Sequence, residues 1–318
     1  MIKVLANDGI SASGEQALQN AGFEVITQKV AQEQLANVIN EKDIAVLLVR
    51  SATKVRQNLI DACPGLKMIG RGGVGMDNID VEYAKEKGLQ VINTPAASSA
   101  SVAELVFAHL FGMVRFLYDA NRQMPLEGES SFKDLKKSYA NGKELAGKTL
   151  GIIGFGRIGQ EVAKRAIGLG MNIVAHDKFV DSVNIDLNFF NGQKMNFEIT
   201  PTSLEEVLKN SDFITLHIPK IGDKAVIGAE EIGMMKDGAG IVNAARGGVI
   251  DEDALMFALE KGKLDYAGLD VFENEPTPSI HLLMQANVSL TPHIGAATLE
   301  AQDRIGTELA EKIAGFFN

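Results

Sequence analysis

Short apolar runs alternate with longer polar or amphipathic stretches over the first 94 residues. The runs are rich in Val, Ile and Leu and do not alternate apolar with polar residues, which is typical of strands buried on both faces. The stretches between them hold about 10 to 18 residues, enough for a crossover helix. This order predicts a parallel sheet covered by helices. The predicted strands are Ile2–Asn7, Glu24–Thr27, Ala45–Val49, Met68–Arg71 and Gln90–Asn93.

A second series of the same kind begins at Thr149 and predicts a second α/β unit. The segment Asp181–Thr200 fits neither pattern and is expected to form a loop or a short hairpin. The chain ends in a helical pattern from Leu299 to Phe316. The predicted strands of this series are Thr149–Ile153, Asn172–His176, Phe213–His217, Gly240–Asn243, Tyr266–Leu269 and Val288–Leu290.

Between the two series, apolar positions from Val102 to Leu117 repeat at helical spacing. They predict one helix of about 20 residues that begins near Ser98, long enough to bridge domains or pair subunits. Ser101 and Glu104 fit a capping box at its start. Residues 121–146 are polar and are expected to form a loop with a weak helix.

Composition narrows the class of protein. A chain of 318 residues suggests roughly two domains. Its single cysteine, Cys63, excludes an intrachain disulfide and a four-cysteine zinc site. A formal charge of −10 argues against a nucleic-acid partner. The N-terminus lacks the pattern of an export signal, and the apolar segment Leu105–Met113 is interrupted by His109. We therefore expect no membrane partner and a cytoplasmic location.

A glycine-rich turn follows the strand that starts at Thr149 and precedes a helical pattern. In this GxGxxG arrangement, Gly154 permits the tight turn, Gly156 lets a pyrophosphate approach the backbone, and Gly159 lets helix pack on strand. Asp177, at the end of the next strand, would accept hydrogen bonds from ribose hydroxyls and repel a 2′-phosphate, which favours NAD over NADP. The predicted cofactor contacts here are Gly154, Gly156, Arg157, Ile158, Gly159 and Asp177.

Two further residues stand where predicted strands end, the edge at which open α/β sheets bind ligands. Arg246 precedes two glycines, and its planar guanidinium suits a carboxylate; the alternative is a structural ion pair. His293 is the candidate general acid–base, unless it is a structural histidine after the proline turn. His217 also ends a strand, where it would line the cofactor site, whereas His109 is expected in the core or at an interface.

These segments resemble the D-isomer-specific 2-hydroxyacid dehydrogenase family. The resemblance runs in order over nearly the whole chain, through RSATKV, GRGGVGMDNID, NTPAASSASVAEL, the glycine-rich turn, VNAARGG, GLDVFENEP and TPHIGAAT. It implies an α/β fold of two doubly wound parallel-sheet domains. A Rossmann NAD-binding domain at 99–291 would be inserted into a flavodoxin-like substrate domain made of 1–98 and 292–318.

The resemblance also implies site roles. Arg246 would bind the substrate carboxylate and carbonyl oxygen, and His293 would be the acid–base with Glu275 as its partner, although Glu273 stays open. Valine at position 74, where the family often has a hydroxyl residue, loses a side-chain hydrogen bond. Further cofactor contacts would be His217, Ile218, Ala244, Asp270, Gly295, Ala296 and Val74. Substrate contacts would be Arg50, Ser51, Gly73, Val74 and Gly75, with Arg246 and His293.

Within the family, the motifs are most similar to the branch that oxidises D-3-phosphoglycerate to 3-phosphohydroxypyruvate for serine biosynthesis, in its short form without C-terminal regulatory domains. A phosphorylated substrate needs a second anion site, for which Arg50, Arg71, Lys136 and Lys137 are the candidates. Arg50 ends a strand and is favoured over the two lysines, which are expected on a solvated helix face. Alternatives are a hydroxypyruvate/glyoxylate reductase, a D-lactate-type dehydrogenase or an NAD-sensing corepressor-like protein. No metal is expected, and residues 98–120 are expected to form a homodimer interface.

Overall fold

The computed structural model describes residues 1–317, whose contacts divide into two compact units. The first comprises Met1–Ser101 and the chain from Ala296 onward, and the second comprises Val102–Gly295. Both are built on parallel sheets with flanking helices, so the predicted fold class is confirmed. The chain crosses between the units a few residues beyond 98 and 292, because the first crossing lies inside a continuous helix that the apolar pattern does not interrupt.

The first unit contains a five-stranded sheet in which all strands run parallel, in the order β2-β1-β3-β4-β5. Its strands are β1 (Lys3–Ala6), β2 (Glu24–Ile26), β3 (Ile44–Val49), β4 (Met68–Arg71) and β5 (Gln90–Asn93). The helices that connect them are α1 (Ala12–Asn20), α2 (Leu35–Glu41, after a 3-10 turn at Gln32–Gln34), α3 (Gln57–Ala62) and α4 (Val81–Glu86).

The predicted helix from Ser98 is wrong as a single element. It is divided into α5 (Ser99–Val114) and α6 (Leu117–Glu127), bent by 55° at a break where Phe116 takes a left-handed φ of 54°. A further helix, α7 (Phe132–Ser138), follows. The apolar repeat continues through the break, and only the backbone conformation of Phe116 ends the first helix.

The predicted capping box is also wrong. Because α5 begins at Ser99, Ser101 already lies within its first turn, and its hydroxyl bonds Thr298 Oγ1 at 2.8 Å. Glu104 instead pairs with Arg165 at 2.8 Å.

Among residues 1–317, no one helix has the length and apolar character needed to cross a membrane, and only the bent pair α5 and α6 meets the criterion when taken together.

The second unit contains six parallel strands in the order β13-β12-β11-β10-β6-β7. Its sheet strands are β6 (Thr149–Ile153), β7 (Asn172–His176), β10 (Phe213–Leu216), β11 (Ala239–Asn243), β12 (Leu264–Leu269) and β13 (Val288–Leu290). Strands β8 (Val183–Asn188) and β9 (Lys194–Ile199) form a separate antiparallel hairpin, the second of the two predictions for that segment. The remaining helices are α8 (Arg157–Gly168), α9 (Leu204–Asn210), α10 (Ala229–Met234), α11 (Glu252–Glu260) and α12 (Ile280–Leu283).

The last helix, α13 (Leu299–Phe317), completes the first unit. Its apolar residues Ile305 and Leu309 join the core that contains Val4 of the first strand. A Cβ on Gly14 of α1 would come within 2.6 Å of the Gly306 backbone, so glycine lets the two helices touch directly. The two ends of the chain therefore build one hydrophobic core.

Candidate active site

The glycine-rich turn after β6 has the shape that a dinucleotide pyrophosphate requires. Gly154 has φ +94°, and a Cβ there would lie 2.6 Å from the His217 carbonyl oxygen. A Cβ on Gly159 would collide with the Gly154 carbonyl, whereas one on Gly156 would meet nothing within 4 Å. Gly156 caps α8 without a side-chain hydrogen bond, so the first N–H groups of this helix are available to an anion.

Asp177 lies directly after β7, next to this turn. One of its carboxylate oxygens accepts the N–H of Phe155 at 2.6 Å, and the other accepts the N–H of Phe179 at 2.8 Å. An ionised carboxylate has about four acceptor sites, so these two bonds leave acceptors for ribose hydroxyls. The glycine turn and this carboxylate together fit the adenosine half of NAD.

His217 and Ile218 follow β10 on the other side of the turn. A Cβ on Gly154 would lie 2.7 Å from Ile218 Cγ2, which places Ile218 against the glycine turn. His217 Nε2 lies 3.0 Å from Thr215 Oγ1, and its buried Nδ1 has no hydrogen-bond partner in the described chain. Burial lowers the pKa of His217 to about 3, so its ring is neutral near pH 7.

Arg246 is held by the backbone that leaves β11. The buried Asn243 side chain accepts the N–H of Ala245 at 3.0 Å and donates to the Arg246 carbonyl at 2.8 Å. A Cβ on Gly247 would collide with the Phe272 carbonyl, so the chain after Arg246 packs directly on the segment that follows β12. Ala244, a predicted cofactor contact, is buried at the start of this turn.

His293 and Glu275 form a hydrogen-bonded pair. His293 Nδ1 lies 2.7 Å from Glu275 Oε2, and their side chains are 42% and 36% exposed. Glu275 Oε1 accepts the N–H of Phe272 at 3.0 Å, which anchors the carboxylate. A carboxylate on Nδ1 favours the tautomer with hydrogen on that nitrogen and leaves Nε2 as a base.

Glu273, the alternative partner that the sequence left open, faces elsewhere. Its carboxylate accepts the N–H of Glu252 at 3.3 Å, while its own N–H donates to the Glu252 carboxylate at 2.7 Å. Burial raises the pKa of Glu252, and the Glu273 charge adds to the effect.

Asp270, a predicted nicotinamide contact, is engaged by the loop that carries His293. It is 1% exposed, and its oxygens accept the Thr291 hydroxyl at 2.6 Å and the N–H groups of Ile294 and Gly295, each at 2.8 Å. Sequence reasoning did not find this role of Thr291. The only signal was its place directly after β13, one strand away from Asp270.

The predicted substrate residues Arg50, Ser51 and Gly73–Gly75 belong to the first unit, at the ends of β3 and β4. Within residues 1–317, the Arg50 guanidinium makes no hydrogen bond or ion pair. It lines a pocket of about 130 Å³ with Asp8, Gly72 and Gln302.

The segment after β4 is fastened from β5. Gly73 donates its N–H to Thr94 Oγ1 at 2.8 Å, and the Val74 carbonyl accepts from Asn93 at 2.8 Å. The Val74 side chain is exposed.

The Arg50 loop is fastened by two residues that the sequence did not single out. The Asp8 carboxylate accepts the N–H groups of Arg50 at 2.7 Å and Thr53 at 3.0 Å, and Asn78 donates to both of their carbonyls. Of the other candidate cations, Arg71 is half-buried at the end of β4, and Lys136 and Lys137 are exposed on α7. Ala296 opens the returning segment of the first unit. No cluster of metal-binding side chains occurs among residues 1–317.

Arg246, Glu275 and His293 thus follow three adjacent strands, β11, β12 and β13, at one edge of the second sheet. This arrangement combines a cation for a carboxylate with a base held by a carboxylate, beside a turn shaped for a dinucleotide. Such an arrangement can support proton transfer next to a bound carboxylate, coupled to a redox cofactor.

Known proteins with similar sequence and structure agree with this chemistry. The chain is 46% identical over 316 residues to a hydroxypyruvate reductase of Thermotoga maritima, covering 98% of this chain and 97% of that protein. It is 44% identical over 314 residues to a D-3-phosphoglycerate dehydrogenase of Methanocaldococcus jannaschii, of which it spans only 57%. The NAD⁺-bound structure of 3-phosphoglycerate dehydrogenase from Entamoeba histolytica superimposes with a TM-score of 0.77 at 28% identity, covering 99% of this chain and 95% of that one.

Residues 107–295 match the family described as D-isomer specific 2-hydroxyacid dehydrogenase, NAD binding domain. This range holds the glycine turn, Asp177, Arg246, Glu275 and His293. The chain therefore belongs to the D-isomer-specific 2-hydroxyacid dehydrogenase family, and its cofactor is NAD.

Proposed function

We propose that the protein transfers a hydride between NAD and C2 of a small D-2-hydroxy acid, and that its substrate is D-3-phosphoglycerate, which is oxidised to 3-phosphohydroxypyruvate. The observation that supports the reaction type is the 2.7 Å bond between His293 and Glu275. These residues follow β13 and β12, the two strands next to β11, which precedes Arg246. The cytoplasmic location and the place in serine biosynthesis stay predictions from the sequence.

Each of the three residues has one task in the oxidation. His293 Nε2 accepts the proton of the substrate hydroxyl as the hydride leaves C2. Glu275, already bound to Nδ1, stabilises the imidazolium that forms. Arg246 holds the substrate carboxylate and orients C2. The bound nicotinamide supplies the hydride acceptor.

The preference for a phosphorylated substrate rests on Arg50. A second anion needs a second cation, and among residues 1–317 the Arg50 guanidinium has no bonded partner. The backbone of its loop is held by Asp8 and Asn78. The names of the Methanocaldococcus and Entamoeba relatives support the same substrate.

Hydroxypyruvate is the second candidate substrate. The Thermotoga relative named for its reduction is 46% identical and matches this chain over nearly its whole length. Hydroxypyruvate lacks the phosphate, so an enzyme for this substrate would not depend on Arg50.

Steady-state rates decide between the two substrates. We expect kcat/KM to be higher for 3-phosphoglycerate than for glycerate or lactate in the presence of NAD. In the presence of NADH, it should be higher for 3-phosphohydroxypyruvate than for hydroxypyruvate. A charge-assisted hydrogen bond contributes about 1.5–3 kcal/mol, so Arg50→Gln should lower kcat/KM for 3-phosphoglycerate about ten- to a hundredfold. Glycerate should be unaffected, and Lys133→Gln, at an exposed lysine on α7, is the matched control for loss of a cation. Faster turnover of hydroxypyruvate, unchanged in Arg50→Gln, would favour the second candidate.

We also propose a homodimer through the α5–α7 region. Six large apolar side chains are exposed there, Phe111, Leu117, Tyr118, Met124, Leu126 and Phe132. Large apolar side chains exposed to solvent in one region of the chain are the material from which subunit interfaces are built. Light scattering should give the mass of two chains, and Leu126→Glu should give one, whereas Phe190→Glu on the hairpin should leave the dimer intact.

A further inference from the structure

The loop Thr291–Gly295 is wrapped around the buried carboxylate of Asp270. Asp270 Oδ1 accepts the Thr291 hydroxyl and the Ile294 N–H, and Oδ2 accepts the Gly295 N–H. His293, between these contacts, has φ +55°. A left-handed conformation costs a non-glycine residue about 1–3 kcal/mol and persists only where its surroundings enforce it. The Asp270 carboxylate is what enforces it here.

The Thr291 hydroxyl links this carboxylate to α5. Its oxygen lies 2.6 Å from Asp270 Oδ1 and 3.1 Å from His109 Nε2. The hydroxyl has one hydrogen, and a carboxylate can only accept, so that hydrogen points to Asp270. Thr291 Oγ1 can then only accept from His109, which fixes the hydrogen of the imidazole on Nε2.

The other ring nitrogen of His109 is anchored as well. Its Nδ1 lies 2.8 Å from Ser289 Oγ, and with the hydrogen on Nε2 it accepts from that hydroxyl. Burial lowers the pKa of His109, although the charge of Asp270 opposes this. The ring is therefore neutral near pH 7, with its hydrogen on Nε2. A Cβ on Gly268 would lie 2.9 Å from His109 Cβ, so the histidine sits tightly over β12.

We propose that His109 is a positioning residue for the dehydrogenase reaction: through Thr291 and Asp270 it sets the backbone conformation of the loop that presents His293 to Glu275 and to substrate. The proposal rests on the proposed role of His293 as acid–base. His109 lies on α5, and within residues 1–317 its ring nitrogens bond Ser289 and Thr291 rather than His293 or Glu275, so its effect passes through the loop. This chain of hydrogen bonds, from His109 through Thr291 to Asp270, is called the tether below. It makes the orientation of the His293 imidazole depend on the packing of α5.

Two pairs of variants test the tether. Thr291→Val has nearly the same shape but removes the hydroxyl, and Thr291→Ser keeps it. His109→Leu removes both ring contacts, and His109→Gln keeps a side-chain donor and acceptor. We expect T291V and H109L to lower kcat about tenfold or more with the Kd for NADH unchanged. T291S and H109Q should stay within about threefold of the parent.

The pH profile separates positioning from loss of stability. If the loop turns His293 away from Glu275, the apparent pKa in the profile of kcat should move in T291V and return in T291S. A thermal shift alone, with kcat and pH profile unchanged in T291V, overturns the proposal. If H109L fails to fold, the near-isosteric pair at Thr291 decides.

His293→Ala distinguishes this proposal from the proposed function. An active His293→Ala enzyme contradicts the acid–base assignment and the positioning role with it. An inactive His293→Ala enzyme, together with T291V and H109L that retain the kcat and pH profile of the parent, contradicts the positioning role alone.

Discussion

Two loops in different units of this molecule are built around an aspartate in the same way. The carboxylates of Asp8, after β1, and Asp270, after β12, each accept two backbone N–H groups and one threonine hydroxyl. In each, a buried side chain donates to that threonine: Asn7 to Thr53 at 2.8 Å, and His109 to Thr291 at 3.1 Å. In each, the fastened loop carries a proposed substrate contact, Arg50 or His293.

The differences follow from what each loop presents. Asp8 is half-buried, and Asn78 holds the carbonyls of Arg50 and Thr53 from the other side, so this backbone is fixed through both donors and acceptors. Asp270 is buried, and it holds only hydrogen-bond donors of its loop, namely two backbone N–H groups and the threonine hydroxyl. The His293 side chain is oriented separately by Glu275. An asparagine donor such as Asn7 cannot titrate, whereas His109 can. The comparison teaches that one loop holds a cation on a rigid backbone, whereas the other presents a base whose side chain is oriented by a separate carboxylate.

Removing the base should have the largest effect. His293→Ala should lower kcat about 10²- to 10⁴-fold, the usual contribution of general acid–base catalysis, because alanine removes the imidazole that is bonded to Glu275. Stopped-flow turnover and NADH fluorescence titration measure the loss and check that cofactor binding is intact. His281→Ala, at an exposed histidine on α12, is the control and should behave as the parent. A His293→Ala enzyme within tenfold of the parent would falsify the assignment.

Replacing each aspartate by asparagine compares the two loops directly. Asparagine presents one acceptor oxygen, so at least one donor loses its partner. At the buried site, an unsatisfied donor costs about 1–3 kcal/mol, and Asp270→Asn should also lower kcat. At the half-buried site, water replaces the lost acceptor, so Asp8→Asn should cost about 1 kcal/mol or less and mainly raise KM. Urea unfolding and steady-state kinetics measure both, and equal losses of stability would contradict the distinction.

The hydrogen bonds from Asn78 to the Arg50 loop can be removed without changing Asp8. Asn78→Ala deletes both hydrogen bonds to the carbonyls of Arg50 and Thr53. We expect KM for the phosphorylated substrate to rise several-fold, with kcat nearly unchanged, because the loop loses rigidity while His293 is untouched. The matched control is Asn40→Ala, which removes an exposed amide that bonds the Ala62 carbonyl. A fall in kcat at constant KM would show that the loop does not act as a binding element.

The smallest effect is on the dependence of stability on pH. His109 has a lowered pKa in the fold, so below the ordinary imidazole pKa of about 6.5 the unfolded chain binds a proton that the fold excludes. The free energy of unfolding should therefore fall by up to about 1.4 kcal/mol per pH unit as pH decreases from about 6.5 to the lower pKa in the fold. His109→Gln should show a shallower slope in urea unfolding between about pH 7 and pH 5. In the Asp8 loop, the corresponding donor to the threonine is the side-chain amide of Asn7, which does not titrate.

The sequence predicted most of the strands because buried parallel strands are short apolar runs, and β4, β5, β6, β7 and β13 begin and end where expected. It missed the break at Phe116, because a single left-handed residue leaves the apolar repeat intact. Arg246, Glu275 and His293 were found because each follows a strand. Residues that fasten the site were not found, because their partners are distant in sequence: Asn78 bonds Arg50, and His109 bonds Thr291 some 180 positions later. The sequence could not show whether Glu273 or Glu275 is the partner of His293. The structure shows Glu273 bonded to Glu252, a residue that lies outside the motifs.

Because α1 and α13 touch at Gly14 and Gly306, the first unit can be completed only when the last segment of the chain has been synthesised. The second unit is one continuous stretch, so all of its core residues have been made once Gly295 has been added. The first unit lacks Ile305 and Leu309 until α13 has been made. Their core partner Val4 is therefore synthesised before the entire second unit, and they are synthesised after it. Because domains generally fold as units, the nascent protein should complete its inner unit first. Until then, the side chains that share a core with α13, such as Val4 and Leu18, lack that part of their cover.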